Sequence, residues 1–478
     1  MKRLLRALRV LKDRRQLRRS PLFDGAWYLD SYPDLQGRID PAWHYLAHGA
    51  TEGRDPGPMF STSGYRLQTD PGHANPLLHY ETLPKTARPA ALPSFVGTAK
   101  ADPTAGCVLF FAHQALGQQF GAERSLLHML DHAGQAGLAA EVVVPQCLDP
   151  AYLSALRARV RRVHILPCPW RRQGRTPHPA TIATMVALIR SCGAREIHQN
   201  TLVLDAPLIA ARAAGVTSVV YLRELPDQDA ELCARLNQSP QQLRADLLSG
   251  ADRFIANSDA TARWIDPEGC LPENRLVVLP NAVDPALTQL PFAPHNPVRI
   301  GLIGSNIAKK GIADMVKVAQ ISAQAGLPAH FLLVGPATPD LAALGPLPVN
   351  LRHAGYAETP VAALEQIDIL LCLSHFAESF GRTVLEAMAA GRPVIAYDRG
   401  TPPALIGTEG AGRVVSADDP QAVVAALTPL LHDPANLATA SRAARLRANA
   451  LIAHTKAVPA AQIYAQTFGK HPANDVNS

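Results

Sequence analysis

One stretch constrains the fold more than any other: Ile367 to Asp398, IDILLCLSHFAESFGRTVLEAMAAGRPVIAYD. It begins with an apolar run, Ile367 to Leu373, bounded by polar residues, which is how a strand buried on both faces reads. A short polar turn carrying Glu378 follows, and Gly381 opens a short helix that is apolar on one face through Val384, Leu385 and Met388. Gly391 and Pro393 stop that helix. A second apolar run, Val394 to Tyr397, comes next. Strand, loop, helix and strand in this order make one unit of an open α/β sheet. Glu378 then lies where the first strand ends, and Glu386 lies a little over one turn into the helix. Both face the crevice at the carboxyl end of the sheet, where such sheets bind ligands. Between them the amides of Gly381, Arg382 and Thr383 are helix-start donors, suited to a phosphate.

The rest of the chain has room for more than this unit. Its 478 residues are enough for about three domains. A content of 47% hydrophobic and 5% aromatic residues fits packed α/β protein rather than a disordered chain. No apolar run reaches the roughly 18 residues of a membrane-spanning helix. Seven scattered cysteines (Cys107, Cys147, Cys168, Cys192, Cys233, Cys270 and Cys372) show no C-x2-C spacing. That argues against a zinc site or a disulfide framework and for a reducing, cytoplasmic setting. The net charge of +6 is concentrated in residues 1–19, where nine basic side chains face Asp13 alone. The remainder is slightly acidic, so the main body is not expected to bind nucleic acid.

Residues 2–19 read as a basic helix with Leu4, Leu8 and Leu11 at i, i+4 and i+7 and Leu5 beside them. Such a helix suits an anionic membrane surface, so the protein is expected to be cytoplasmic and peripheral at the inner face of the membrane. It lacks the apolar centre of a signal peptide. Residues 22–95 hold an imperfect repeat with a period of 35–37 residues, in which Phe23 aligns with Phe60, Tyr28 with Tyr65, and His44-Tyr45 with His79-Tyr80. Short helices packed through Trp27, Tyr28, Trp43 and Tyr45 are expected, with His44 and His79 as structural residues. Two copies make a docking or spacer element rather than a solenoid. Residues 84–105, rich in Pro, Ala and Thr, read as a linker.

From Gly106 onward strands and helices alternate. Cys107–Ala112 is a buried strand, followed by a polar loop with Gly117 and Gly121 and a helix from Glu123. Apolar runs at Val142–Val144, Val163–Leu166, Val219–Leu222, Phe254–Ala256 and Val277–Leu279, with a strand end at Ile197–Asn200, predict a parallel, doubly wound sheet. Pro285, Pro291, Pro294 and Pro297 mark a hinge. A second alternating series starts at Val298, with strands at Ile300–Ile303, Phe331–Gly335 and Asn350–Gly355. Two helical segments close the chain, near Pro420–Leu431 and Ala435–Phe468, and the last is expected to cross back onto the first domain.

The text E-x-F-G-x-x-x-x-E-A-M-A-x-G-x-P-V-I-A around Glu378 and Glu386 resembles the E-x7-E element of retaining glycosyltransferases of family 4. Further matches are GAERSLLHMLDHAGQAGLAAEVVVP, Arg223-Glu224 at an R-E or H-E element, Asn257-Ser258, Leu279–Asp284 at LPNGVD, Lys310-Gly311 and Gly355-Tyr356. The first repeat copy is similar to a small module attached to some bacterial polysaccharide glycosyltransferases. The chain departs from the family pattern in four places. Ala282 replaces a glycine, Arg223 stands in a frequent histidine slot, Pro403 replaces a glutamate, and Gly304-Ser305-Asn306 lacks an arginine common before the lysine.

The resemblance, which covers roughly residues 106–468, implies a GT-B architecture: two facing Rossmann-like, doubly wound α/β domains, here preceded by a small, mostly helical N-terminal module. The expected segments are the basic helix 1–20, the repeat module 21–83, the linker 84–105, an acceptor-side domain 106–290, a donor-side domain 291–468 and a flexible tail 469–478. The implied reaction is transfer of a sugar from a nucleotide-sugar to an acceptor hydroxyl of a glycan or lipid-linked saccharide, with retention, in bacterial cell-surface polysaccharide or lipopolysaccharide synthesis. Glu378, Lys310 and Arg223 are the implied catalytic residues. Glu378 would bind the transferred sugar or stabilise positive charge at its ring, and Lys310 would grip the diphosphate. Donor binding falls to Glu386 (on the ribose), Phe380, Gly381, Arg382, Thr383, Ser305 and Tyr356, and the acceptor side to Gly121 and Glu224. Lys309 or Arg382 could replace the missing arginine. No cofactor and no metal are expected, and Asp227-Gln228-Asp229 is read as a chance D-x-D match. An epimerase or a sugar phosphorylase would need an added acid–base set or a pyridoxal-bearing lysine, neither of which is identifiable. The alternative reading is a non-catalytic nucleotide-sugar-binding scaffold of a polysaccharide assembly complex.

Overall fold

A computed structural model describes residues 2–35, 37, 39–72, 74–99, 106–115, 121–456 and 463. Gly117, residues 100–105 of the expected linker and the tail 469–478 lie outside the described residues. Two open sheets carry the body of the chain, and each is built from the apolar runs of the sequence. The first contains β1 (Ser94–Val96), β2 (Cys107–Phe111), β3 (Ala139–Val144), β4 (Arg162–Ile165), β5 (Ala194–Gln199), β6 (Thr217–Leu222), β7 (Arg253–Ala256) and β8 (Leu276–Val278). Their order is β1-β4-β3-β2-β5-β6-β7-β8. All neighbours are parallel except β1, which runs antiparallel along β4. The second sheet contains β9 (Val298–Ile303), β10 (Ala329–Val334), β11 (Leu351–Gly355), β12 (Ile369–Cys372), β13 (Val394–Tyr397) and β14 (Gly412–Val415). It is wholly parallel, in the order β11-β10-β9-β12-β13-β14.

The strand orders locate the crevices before any side chain is considered. In the first sheet the chain leaves β2 in one direction and resumes at β5 on its other side. In the second it does the same between β9 and β12. A ligand crevice opens where the winding reverses, beyond the carboxyl ends of the strands. The loops after β2 and β5 flank one switch point, and the loops after β9 and β12 flank the other.

Apolar side chains cover both faces of each sheet, as a parallel sheet requires. Phe111, Ile197 and Leu222 lie in one layer of the first sheet and Phe110, Val142 and Val219 in the other. In the second sheet Leu332, Leu370 and Val394 share one layer, and Ile300, Phe331 and Ile395 the other. Helix Pro434–Lys456 packs Ala444 and Ala448 into the second domain. Farther on, Ile463 is buried in the first, where its carbonyl accepts from Arg253 at 3.0 Å. The chain thus crosses back, as expected.

Three expectations are corrected. Part of the presumed linker is β1, an edge strand whose Ser94 hydroxyl meets His164 Nδ1 at 2.7 Å. A proline-rich segment can hold this place because an edge strand has one side free of the ladder. The proline-rich hinge contains a short helix, Pro285–Gln289, capped by Asp284. Trp43 is not part of the module core but is 43% exposed and lies edge-on to His48.

The N-terminal module shows the repeat in its chemistry. Tyr28 meets His44 Nδ1 at 2.9 Å in the first copy, and Tyr65 meets His79 Nδ1 at 2.7 Å in the second. Phe23 contacts Tyr28 and Tyr45, and Phe60 contacts Tyr65 and Tyr80 in the same pattern. Helix Lys2–Arg19 is anchored on this core by fully buried Leu17 and by Arg14 and Arg18, which both pair with Asp40. Among the described residues no helix is long and apolar enough to cross a membrane.

Candidate functional site

The loops at the two switch points face each other across a cavity of about 320 Å³. On the second domain the β9 loop leads through a short 3-10 turn, Ala308–Lys310, to Gly311 at φ 79°, which starts helix Ile312–Gln324. A Cβ at Gly311 would stand 2.0 Å from the Leu373 carbonyl oxygen, so only glycine lets this turn lie against the end of β12. The close approach delivers Lys310 to Glu378: Nζ and Oε1 are 2.6 Å apart. The Ser374 hydroxyl donates to the same oxygen at 2.7 Å, and the ammonium also sits 4.7 Å from the Phe376 ring centroid.

Gly400 fixes the other side of the Glu378 loop. At φ 69°, it lies where a Cβ would come within 2.6 Å of the Glu378 nitrogen, and the next amide, of Thr401, donates to the Glu378 carbonyl at 2.9 Å. Burial pushes the Glu378 carboxyl up, but the Lys310 charge and the Lys310 and Ser374 hydrogen bonds outweigh it. The carboxyl therefore sits below its ordinary value and stays ionised.

Helix Arg382–Ala389 begins at Gly381, which is left-handed and offers no side-chain cap. Its first turn faces the cavity with Thr383, and Glu386 follows from the next turn. Glu386 finds its partner in the other domain: Arg124 donates to it at 3.1 Å. Arg124 lies near the start of helix Gly121–Gln135, and both Gly121 and Arg124 line the cavity.

Of the residues singled out in the sequence, Gly121, Ser305, Lys310, Tyr356, Glu378, Arg382, Thr383 and Glu386 share this cavity. The others lie elsewhere. Phe380 is buried in the core of the second domain, where it supports the loop. Arg223 lies beside the cavity rather than in its wall, donating to Asn200 Oδ1 at 3.1 Å and Asn281 Oδ1 at 3.0 Å. Burial lowers its pKa to about 10. Glu224 accepts from the Thr201 hydroxyl at 2.8 Å and from the Arg223 amide at 3.2 Å, and burial pushes its carboxyl up. It bonds to its own domain.

The two candidate replacement cations are also engaged. Lys309 pairs with Asp229 at 3.3 Å. Arg382 lines the cavity, yet its guanidinium donates to Ser125 Oγ and, at 3.1 Å, to the Ala282 carbonyl of the first domain. Burial, with Arg124 and Arg223 nearby, lowers its pKa to about 10. Arg124 is the residue that sequence reasoning missed. The signal was present in GAERS, an arginine one turn into the helix that follows the first switch-point loop.

The D-x-D match serves structure. Asp229 caps helix Ala230–Leu236, accepting from Leu232 at 3.0 Å, besides binding Lys309. Among the described residues Asp314, His375 and Asp418 come within metal-ligand reach of one another. Asp314 already accepts from His375 at 2.9 Å, Tyr397 at 2.9 Å and Lys317 at 3.0 Å, while Arg399 holds Asp418 at 2.8 Å. The group is a closed network that braces the β12 loop.

Known proteins agree with this architecture. The model for glycosyl transferases group 1 matches residues 290–450, and the model for glycosyltransferase family 4 matches residues 121–287. The chain belongs to the group 1 glycosyltransferases of GT-B fold. Curated relatives include the lipopolysaccharide core biosynthesis mannosyltransferase LpsB of Rhizobium meliloti, 28% identical over 41% of this chain and 60% of that protein. The phosphatidyl-myo-inositol mannosyltransferase of Mycolicibacterium smegmatis is 30% identical over 37% of this chain and 48% of its own length. The chain thus matches about half the length of these relatives. Among solved structures, HepE of Anabaena in complex with UDP and glucose superposes with a TM-score of 0.58 at 20% identity, over 77% of this chain and all of that one. WaaG, a glycosyltransferase involved in lipopolysaccharide biosynthesis, gives 0.56 at 15% identity over 76% of this chain and all of WaaG.

Proposed function

We propose that the protein transfers a sugar from a nucleotide-sugar to an acceptor hydroxyl, with retention at the anomeric carbon. The observation that carries the reading is the pair of carboxylates flanking an uncapped helix start, each bonded to a cation in one interdomain cavity. The leaving diphosphate gains negative charge as the glycosidic bond breaks. The amides of the first turn after Gly381 and the Lys310 ammonium meet that charge at the cavity wall. Arg124 supplies a second cation, in place of the arginine absent from Gly304-Ser305-Asn306. Glu386 accepts the ribose hydroxyls, exchanging its bond to Arg124 for bonds to the donor. Glu378 stays ionised beside the sugar and stabilises positive charge at its ring, while the departing phosphate takes the acceptor proton on the same face. No step in this scheme uses a metal.

The relatives named for lipopolysaccharide core and phosphatidyl-inositol mannose transfer favour a membrane-associated saccharide as acceptor, in cell-surface polysaccharide or lipopolysaccharide synthesis. The basic face of helix Lys2–Arg19, with Lys12, Arg15 and Arg19 beside one groove, suits an anionic membrane surface. Incubation with UDP-, GDP- and ADP-sugars tests the reading. Acceptor-dependent release of one nucleoside diphosphate is expected. Binding without release from any donor and acceptor would point to the scaffold role instead.

A further inference from the structure

A second cavity, of about 680 Å³, lies where the N-terminal module meets the first domain. Its floor is Gln114, Pro145 and Pro167, which follow the carboxyl ends of β2, β3 and β4. It therefore opens on the same edge of the sheet as the interdomain cavity. The β2 loop borders both, with Gln114 on one and Gly121 on the other. Glu231, on its rim, also lies 4.0 Å from the ammonium of Lys309, the neighbour of Lys310.

The walls are aromatic and polar together. Trp27 and Tyr32 of the module lie edge to face, 6.3 Å between centroids, and Trp170 comes from the domain. Asp34 and Asp30 line the module wall, each held by an arginine. Arg54 grips Asp34 at 3.0 and 2.7 Å, and Arg175 grips Asp30 at 2.7 Å. Both carboxylates remain about half exposed, at 59% and 47%, so they are fixed in place with lone pairs to spare. Arginines of the domain, Arg171 and Arg172, balance them. Mixed charge disfavours a strongly anionic ligand. Aromatic side chains beside fixed carboxylates suit a ring with apolar C–H faces and a rim of hydroxyls, and the volume lies within the range of small-molecule sites.

Hydrogen bonds also tie the two sides of the seam together. Gln146 donates to the Gly53 carbonyl at 2.9 Å, and the Ser63 hydroxyl accepts from the Cys147 amide at 3.2 Å.

From this geometry we propose that the seam cavity binds a saccharide, namely sugar units of the acceptor that lie away from the reacting hydroxyl. The module then acts as part of the acceptor site as well as a spacer. Its assignment to the acceptor rests on the transferase reading, but saccharide binding itself does not.

The test is titration of the full chain with mannotriose, maltotriose and cellotriose, followed by indole fluorescence and saturation-transfer NMR, with UDP, GDP and ADP titrated separately. Two variants are compared with the wild type. Trp170→Ala removes an aromatic wall, and Ala234→Trp plugs the cavity from an exposed rim position that leaves the core untouched. At least one trisaccharide is expected to bind, and both variants to weaken it about ten-fold or more, with nucleotide binding unchanged. Failure of all three to bind the wild type, or equal binding by wild type and Ala234→Trp, overturns the proposal. Absence of nucleotide binding by the wild type, with trisaccharide binding present, would instead strike the donor reading.

Discussion

Glu378 and Glu386 stand eight positions apart and serve one cavity, yet they are held in opposite ways. Glu378 is satisfied within its own domain, by Lys310 and Ser374. Glu386 is satisfied from across the cleft, by Arg124. The difference fits the duties proposed for them. A carboxylate neutralised by a fixed local partner keeps its place and charge whether or not the domains move, which suits a group that must meet developing charge. One whose partner belongs to the other domain exchanges that partner for a ligand when the cleft fills, which suits binding.

The largest effect expected from breaking this contrast is at Lys310. Lys310→Ala should lower kcat/KM by about two to three orders of magnitude, since it removes a preorganised cation from the leaving group. Steady-state kinetics checks this. The Glu378→Gln variant should lose about a hundred-fold in kcat while the donor KM changes little, because its role is in the transition state. At Glu386 the pattern should reverse, with Glu386→Ala raising the donor Kd about ten-fold, as expected for loss of charge-assisted hydrogen bonds. Arg124→Ala should also weaken donor binding, but less, because it frees Glu386 while removing a cation.

The smallest effect is on stability against pH. The folded carboxyl of Glu378 lies below its ordinary value of 4.5. The pair's stabilisation is therefore fully present above that pH and is lost as pH falls through the depressed folded value. Lys310→Met removes the largest lowering partner and leaves burial opposed by Ser374 and Lys309 alone, so the variant should shift toward a smaller loss of stability on acidification. Thermal melting between pH 3 and 7, a range spanning about two ordinary carboxylate titrations, reads this shift.

The second domain was more legible in the sequence than the first, for a physical reason. Its site is local: β12, the Glu378 loop and helix Arg382–Ala389 are consecutive, so periodicity and one glycine placed both carboxylates. Lys310 needed only the glycine after it. The first domain contributes through long-range packing. Arg124 reaches the cavity because two domains close on each other: GAERS marks its place near a helix start, but not the carboxylate it meets across the cleft. Arg223 and Glu224 sit at a strand end as expected, but polar neighbours from other strand ends, Asn200, Thr201 and Asn281, engage them. The edge strand β1 was hidden because its pairing with β4 links residues 94 and 164, and proline content masked it. The paired tyrosine and histidine of each repeat were legible as an alignment, and their hydrogen bonds explain why both residue types recur.

The proposed function requires one interdomain cavity to hold the donor through groups from both domains. Calorimetric titration of UDP, GDP and ADP into wild type, Lys310→Ala, Glu386→Ala and Arg124→Ala tests it most directly. One of the three nucleotides should bind the wild type, and all three substitutions should weaken it, Arg124→Ala included. Unchanged affinity in both Glu386→Ala and Arg124→Ala would contradict that requirement.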